Sequence, residues 1–579
     1  MSEPIRIGNC SGFYGDRLSA MREMLGGGEL DVLTGDYLAE LTMLILFRTR
    51  LKDPDKGYAS TFVRQLEECL GLAHDKGVRI VANAGGLNPA GCASAVRRLA
   101  ARLGIPVSVA HVEGDDLMPR LPELRGAGVD LANLDTGAPL AADPVTANAY
   151  LGGWGIVAAL AEGADVVVTG RTTDASLVVG PAAWHHGWAR DDWDALAGAV
   201  VAGHILECGG QATGGNYAFF TEVPDVEHVG FPLAEVHADG SSVITKHPGT
   251  GGQVSVGTIT AQLLYEIGGP RYLGPDATAR FDSIRLMQEG PDRVRVHGVV
   301  GEPPPSTAKV CINLLGGYRN SMTFLLTGLD VEEKAALVRR QLEPVLSRVQ
   351  ESDVSLARTD HEDPETNERA VAQLRITVKD PDATLVGRAF SSTAVELALA
   401  SYPGCTMTGP PGDGSAYGVY WPALVPAATV SQRVVLDDGR TVEVPPTLAA
   451  GGEAAVAAAP AAAAPGGATR RVALGAAFGA RSGDKGGNAN LGVWARSDAG
   501  YGWLAEHLTV DALRTLLPEA KDLEVERHEL PNIRALNFVL HGLLGAGVAA
   551  STRQDPQAKG LGEWLRARHV DLPVALLED

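Results

Sequence analysis

Val166-Val167-Val168-Thr169-Gly170-Arg171-Thr172-Thr173-Asp174 is the stretch on which the fold turns. Three β-branched residues in a row suit a buried strand, and the glycine that follows lets the chain turn sharply into the next element. Outward from it, residues 5–7, 30–33, 78–81 and 106–111 have the same buried-strand character. The segments between them, roughly 58–75, 89–104 and 145–163, carry apolar residues at helical spacing. This alternation predicts a mostly parallel sheet covered by helices over about residues 1–275.

The pattern changes from about residue 280. Residues 284–300, 308–314 and 322–326 read as antiparallel strands, followed by a helix over 331–348. Strands at 354–357 and 372–378 lead to a helix near 391–400, so residues 280–447 read as an α+β layer that completes a large domain of residues 1–447. Residues 448–469, an alanine run broken by Pro460 and Pro465 and closed by Gly466-Gly467, read as a linker. Beyond it, residues 470–579 hold a β-hairpin pattern, a helix over 509–517, strands at 523–527 and 535–540 and a terminal helix, enough for a small α/β sandwich.

Acidic residues outnumber basic ones by 70 to 49, for a formal charge of −21. Such a surface repels phosphate backbones, so no nucleic-acid partner is expected. The six cysteines are scattered without CxxC spacing, which argues against a disulfide framework and a zinc cluster. No signal peptide opens the chain, and the strongest apolar run, residues 41–47, is far too short to span a bilayer. The expected setting is the cytoplasm, with no membrane partner.

Ligands of open parallel sheets bind beyond the carboxyl ends of the strands. Here those ends share one signature of glycine with Asn, Asp or Thr: Asn9-Cys10-Ser11-Gly12, Gly35-Asp36, Asn83-Ala84-Gly85-Gly86, Asn133-Leu134-Asp135 and Gly170-Arg171. Five such edges imply a polar cleft. Gly8, Gly12 and Gly15 fit neither GxGxxG nor a P-loop, and a tight turn explains them equally well. Arg171 with Asp174 is either a grip for carboxylate or phosphate with a base beside it, or a structural ion pair at a helix start.

Four more features add candidates. The run Gly203-His204-Ile205-Leu206-Glu207-Cys208 carries an apolar helix pattern into four glycines interleaved with Gln211, Thr213 and Asn216. Glu207, a carboxyl at an apolar helix end, is the first candidate for general acid or base. Cys208 could serve as a nucleophile, although a small buried residue is the better reading. Lys246-His247 in a glycine loop before a helix, and Arg481-Ser482-Gly483-Asp484-Lys485 with Asn488 between two apolar strands, could hold an anion. The site expected from the residues has Glu207, Asp174, Arg171 and Cys208 as its catalytic set. Asn9, Ser11, Gly12, Asp36, Asn83, Gly85, Gly86, Gln211, Thr213, Asn216, Lys246, His247, Arg481, Ser482, Asp484, Lys485 and Asn488 line it, with no metal.

IGNCSGFYGDR, TGDYLAE, NAGGLNP, TGRTTDASL, GHILECGGQATGG, TKHPGTGG, ARSGDKGGNANLG and NFVLHGLLGAG together resemble the acyclic terpene utilisation (AtuA-like) family over nearly the whole chain. The resemblance implies a large AtuA-like domain and a small ferredoxin-fold companion at 470–579. "Ferredoxin" names a topology there, since the scattered cysteines do not fit an iron–sulfur ligand run. It also implies a setting, the breakdown of citronellol- and geraniol-type compounds through acyl-CoA intermediates, but brings no catalytic residues. The expected function is an enzyme acting on a branched acyl-CoA or carboxylic acid by hydration, lyase or thioester chemistry. The alternative is a non-catalytic binding or scaffolding subunit for the acyl-CoA carboxylase or dehydrogenase of the same pathway. The expected partner is an anionic small molecule, with CoA entering only as part of the substrate and no separate cofactor identified. A homo-oligomer is expected.

Overall fold

The computed structural model describes residues 3–410, 412–448, 452–456 and 463–578. Its contacts resolve into two compact units. Met1–Asn313, Tyr420–Val548 and Gln557–Asp579 form one; Leu314–Val419 with Ala549–Pro556 form the other.

In chain order, the strands around the site in the first unit are β1 (Ile5–Asn9), β2 (Val32–Gly35), β3 (Arg79–Ala82), β4 (Val109–Glu113), β5 (Thr146–Ala149), β6 (Val166–Thr169), β7 (Pro232–Val236) and β8 (Ser242–Lys246). Strands β1, β2, β3, β6 and β4 lie side by side in that order and are all parallel. They contain the five runs recognisable in the sequence. Helix Pro89–Leu103 shows why the intervening segments fold as helices. Pro89 supplies the first-turn φ, the Asn88 side chain accepts the Gly91 N–H at 2.9 Å, and Gly104 ends the helix at φ +70°. Its buried face (Val96, Leu99) joins Phe62, Leu66 and Leu70 of helix Ser60–Lys76 in one core.

The sheet is mixed rather than mostly parallel, which corrects that expectation. Antiparallel β7 lies beside β1, followed by β8 and the hairpin Arg285–Gly290/Arg293–His297. The other edge is extended by Gln432–Val435 and Thr441–Val444, also antiparallel. An antiparallel wing needs only a tight turn, which Asp239-Gly240 provides with Gly240 at φ +81°. Of residues 284–300, 285–297 thus extend this sheet instead of opening an α+β layer, and Val300 pairs with Arg280 in a separate small sheet. Strand β5 pairs elsewhere, antiparallel to residues 310–313.

The second unit has its own antiparallel sheet. Residues 318–327 of the strand Thr307–Thr327 pair with Val371–Asp380, which pairs in turn with Glu351–Ala357. Helices Val331–Leu346 and Arg388–Glu396 contribute Val338, Leu342 and Phe390 to a core with Phe324, Leu374 and Ile376.

The C-terminal region of the first unit is a four-stranded antiparallel sheet in the order Phe478–Lys485, Asn488–Ala495, Ala535–Leu540, Val525–Leu530. The polar segment 480–490, expected as a long hairpin loop, is instead two strands joined at Gly486-Gly487. Period-2 alternation explains this. Ala489, Leu491 and Val493 enter the core with Phe538 and Leu540, so the residues between them emerge on the opposite face. The first of the two flanking apolar strands, expected over 471–476, is instead Thr469–Ala473, which pairs with His569–Pro573. Of the expected linker, residues 449–451 and 457–462 lie outside the described residues. Ala454 donates its N–H to Glu302 Oε1 at 3.0 Å, and Glu453 pairs with Arg271 at 3.0 Å. Among the described residues, no helix is long and apolar enough to cross a membrane.

Candidate functional site

Arg171 sits at the centre of the polar residues beyond the carboxyl edge of the sheet. Its side chain is 3% exposed, and the loop after β6 positions it. Nη1 donates to the Leu38 carbonyl, Nη2 lies 3.6 Å from Asp174 Oδ1, and the guanidinium stacks 4.5 Å from the Tyr150 ring centre. Nε has no protein hydrogen-bond partner. The Arg171 backbone N–H donates to Asp115 Oδ2 at 2.9 Å, and Asn148 donates to the same oxygen at 2.8 Å. Asp115 follows β4, so the fifth polar edge is Gly114–Asp116. Residues 132–137, read as that edge, form a turn off the sheet in which Asn133 Oδ1 accepts the N–H groups of Asp135 and Thr136.

Asp36 enters from the end of β2. It accepts from Asn83 Nδ2 at 2.5 Å and from the Leu38 N–H at 3.0 Å, while Asn83 Oδ1 accepts the Tyr37 N–H at 2.7 Å. Burial, then the Asp174 carboxylate, holds the Asp36 carboxyl well above the usual carboxylate range, with Arg171 opposing.

Glu207 caps the helix Trp193–Leu206, where the negative end of the helix dipole also disfavours a carboxylate. Its Oε1 lies 3.1 Å from His204 Nδ1, within ion-pair range but out of line for a hydrogen bond. Glu207 Oε2 and both ring nitrogens of His204 have no protein hydrogen-bond partner, although both side chains are buried. Burial, then Asp174, raises Glu207 far above its ordinary value; Lys485 and Arg171 pull the other way. Burial, then the Lys485 ammonium, lowers the His204 ring to about 4. Glu207 is therefore shifted toward its protonated form, and His204 is neutral at neutral pH. Burial, then Glu207, raises the Cys208 thiol well above its ordinary value, which keeps it from acting as a ready nucleophile.

The remaining expected residues divide by their contacts. Asn9 donates to the carbonyls of Leu206 (2.6 Å) and Glu207 (3.3 Å), tying β1 to the end of the Glu207 helix. Gly12 packs on the Glu207–Cys208 backbone, where a Cβ would meet Cys208 C at 2.9 Å. Ser11 donates to the Phe13 carbonyl, and Gly85 and Gly86 pack against Pro89 and Leu46. Thr213 donates to the Gly230 and Gly210 carbonyls, Asn216 is exposed, and Gln211 Oε1 is buried without a protein hydrogen-bond partner. Lys246 and His247 lie apart from the cluster: Lys246 Nζ reaches the Thr250 carbonyl (2.6 Å) and Asp292 (3.2 Å), and His247 Nε2 lies 2.9 Å from the Met24 carbonyl. Ser482 donates to Ala558 O, Asp484 lies 3.6 Å from Lys559, and Asn488 donates to Asp135 Oδ1 at 3.1 Å. Arg481 and Lys485 reach Tyr265 and Glu266.

His204, Tyr150, Tyr272, Asp115 and Gln262 were not anticipated. His204 was legible as the (i, i+3) neighbour of Glu207. Tyr272, whose ring centre is 5.2 Å from that of His204 and which stacks on Phe281, comes from a two-residue strand with no local signal. Among the described residues no group of three or more His, Cys, Asp or Glu could hold a metal ion. A surface hollow lined by Arg190, Trp193 and residues 445–448 contains none of the cluster's groups.

Fold and site together define a mixed α/β protein with a buried carboxyl–guanidinium cluster at the carboxyl edge of its sheet. The chain belongs to the acyclic terpene utilisation family AtuA, which matches residues 5–436. The AtuA ferredoxin-like domain matches residues 472–571. No curated protein and no solved structure matches the chain.

Proposed function

We propose that the protein is an enzyme of acyclic terpenoid or branched-chain acid breakdown that performs acid–base chemistry on an unsaturated acyl-CoA or carboxylic acid. The observation that carries this reading is the Glu207–His204 pair, buried side by side with three polar atoms unpartnered within the protein. Unpaired buried polar groups are costly unless a ligand uses them. Arg171 suits the carboxylate or carbonyl oxygen of the acyl group. Asp174, with a side chain 31% exposed, is the carboxylate open to solvent. In the hydration direction, Asp174 takes a proton from water, the water oxygen bonds to one alkene carbon, and Glu207 delivers its proton to the other.

The test incubates the full-length protein with branched unsaturated acyl-CoAs and the matching free acids, with products read by mass spectrometry. A product heavier by one water is expected, and Glu207→Gln should lower turnover by about 10²–10⁴-fold without unfolding the protein. Undiminished turnover in that variant would refute the role of Glu207. Binding without product on every substrate would favour the binding or scaffolding subunit instead.

A further inference from the structure

The C-terminal sheet meets the rest of its unit through a polar face on which Arg481, Gly483 and Lys485 of one strand neighbour Gly492, Asn490 and Asn488 of the next, with Asn537 on the third. Asn490 Oδ1 accepts the Glu266 N–H at 2.7 Å, Asn537 Nδ2 donates to the Gly268 carbonyl at 2.5 Å, and Lys485 Nζ donates to the Glu266 carbonyl at 3.0 Å. Side chains have no room at the two glycines: a Cβ would lie 2.6 Å from the Tyr265 ring at Gly483 and 2.5 Å from Leu264 at Gly492. Residues 264–268 are thus gripped in one register, because slippage would strip two fully buried asparagines of their partners. The gripped segment follows helix Val256–Leu263, whose Gln262 donates to the His204 carbonyl at 3.1 Å. A chain of direct contacts therefore links the polar sheet face to the helix bearing His204 and Glu207. Arg481, 4.5 Å from the Tyr265 ring centre, also donates to the Asn216 carbonyl at 3.2 Å, at the far end of the Glu207–Asn216 wall.

We propose that the ferredoxin-like domain is an integral part of the site, and that Lys485 is its positioning residue, an ammonium held by the docked sheet within electrostatic reach of the Glu207–His204 pair. The groups facing Glu207 are His204 from its own helix, Cys208 beside it, Asp174 and Arg171 from the loop after β6, Tyr272 from the strand Arg271–Tyr272, and Lys485. Asp174 favours the protonated carboxyl; Arg171 and Lys485 favour its release. Lys485 thereby keeps the Glu207 proton transferable rather than locked. Without that ammonium the proton is held more tightly, and the ionisation midpoint of Glu207 moves up, by on the order of one pH unit for a single charge acting at an effective dielectric of about 20.

The test is an infrared titration of the full-length protein without substrate, with the Glu207 carboxyl band assigned by its loss in Glu207→Gln. In Lys485→Met the midpoint should rise by about one pH unit, while Lys485→Arg should leave it within a few tenths. Lys485→Gln replaces the methionine variant if that one fails to fold. A midpoint unmoved in the neutral variants, or moved equally by Lys485→Arg, overturns the inference. The inference rests on Glu207 as the proton-bearing group of the proposed reaction. An unmoved midpoint overturns only the role of Lys485, absent turnover overturns only the reaction, and a Glu207 ionised throughout the neutral range overturns both.

Discussion

Replacing Gly12 by alanine tests whether the first strand's loop and the Glu207 helix end form one wall of the site. The added Cβ would lie 2.9 Å from Cys208 C, 3.0 Å from Glu207 O and 3.1 Å from Cys208 Cα. All three are backbone atoms, so no rotamer change relieves the clash. Ordinary contact begins near 3.5 Å, and the two segments must part by roughly half an ångström. That movement also stretches the Asn9 bonds to the Leu206 and Glu207 carbonyls. Overpacking of this kind costs about 1–3 kcal/mol. A displacement of that size at the proton donor should lower turnover about 10-fold or more, since 1 Å can cost ~10²-fold. The assay pairs urea unfolding, followed by tryptophan fluorescence, with turnover on whichever unsaturated acyl-CoA or acid of the proposed panel gains water. Gly26→Ala is the control: it is exposed in helix Ala20–Gly27 with open space at its Cβ, and should stabilise by about 0.5–1 kcal/mol. If Gly12→Ala matches the wild type in both measurements, the close approach of the two segments is wrong.

Asp115 carries a pH signature. Burial pushes its carboxyl up to about 7. The stability it contributes is therefore fully present below about pH 4 and lost as pH rises through its folded value. Between about pH 5 and about pH 8 the wild type should lose more unfolding free energy than Asp115→Asn, and parallel curves would refute the burial argument. Asn537→Ala removes the donor to Gly268 and the acceptor for Asn490, and should cost about 1–3 kcal/mol. It should also speed proteolysis of the C-terminal domain; unchanged digestion would mean that the asparagine pair does not hold the docked sheet. The Glu207→Gln turnover measurement and the Lys485 titration complete the set.

Much of the parallel core was legible because its strands are short β-branched runs ending in glycine with a polar residue. Residues 166–168 need no tertiary information to be recognised as a buried strand. The antiparallel wings were missed because Pro232–Val236 and Ser242–Lys246 resemble ordinary connection between helices, and only the Asp239-Gly240 turn marks them. The segment 480–490 was misread for a different reason. Its alternate residues are polar because they meet residues 264–268, and in the sequence this buried polarity cannot be told from the solvent-facing polarity of a loop.

The sequence alone led to the expectation that glycine-flanked Asn, Asp and Arg residues gather at one sheet edge, which holds for Asn9, Asp36, Asn83 and Arg171 but not for residues 132–137, and it singled out Glu207, set in an apolar helix end, as a candidate carboxyl. The positions of the core strands follow from local pattern, because a buried strand must be apolar and a sharp exit needs glycine, whereas their order in the sheet does not. Proton occupancy was decided only by the tertiary structure. Whether Glu207 holds its proton depends on burial, on Asp174 and Arg171 from another loop, and on Lys485 from a domain nearly 280 residues further along the chain. Electrostatic energy depends on distance and desolvation in space, and neither is written in the spacing of residues along a chain.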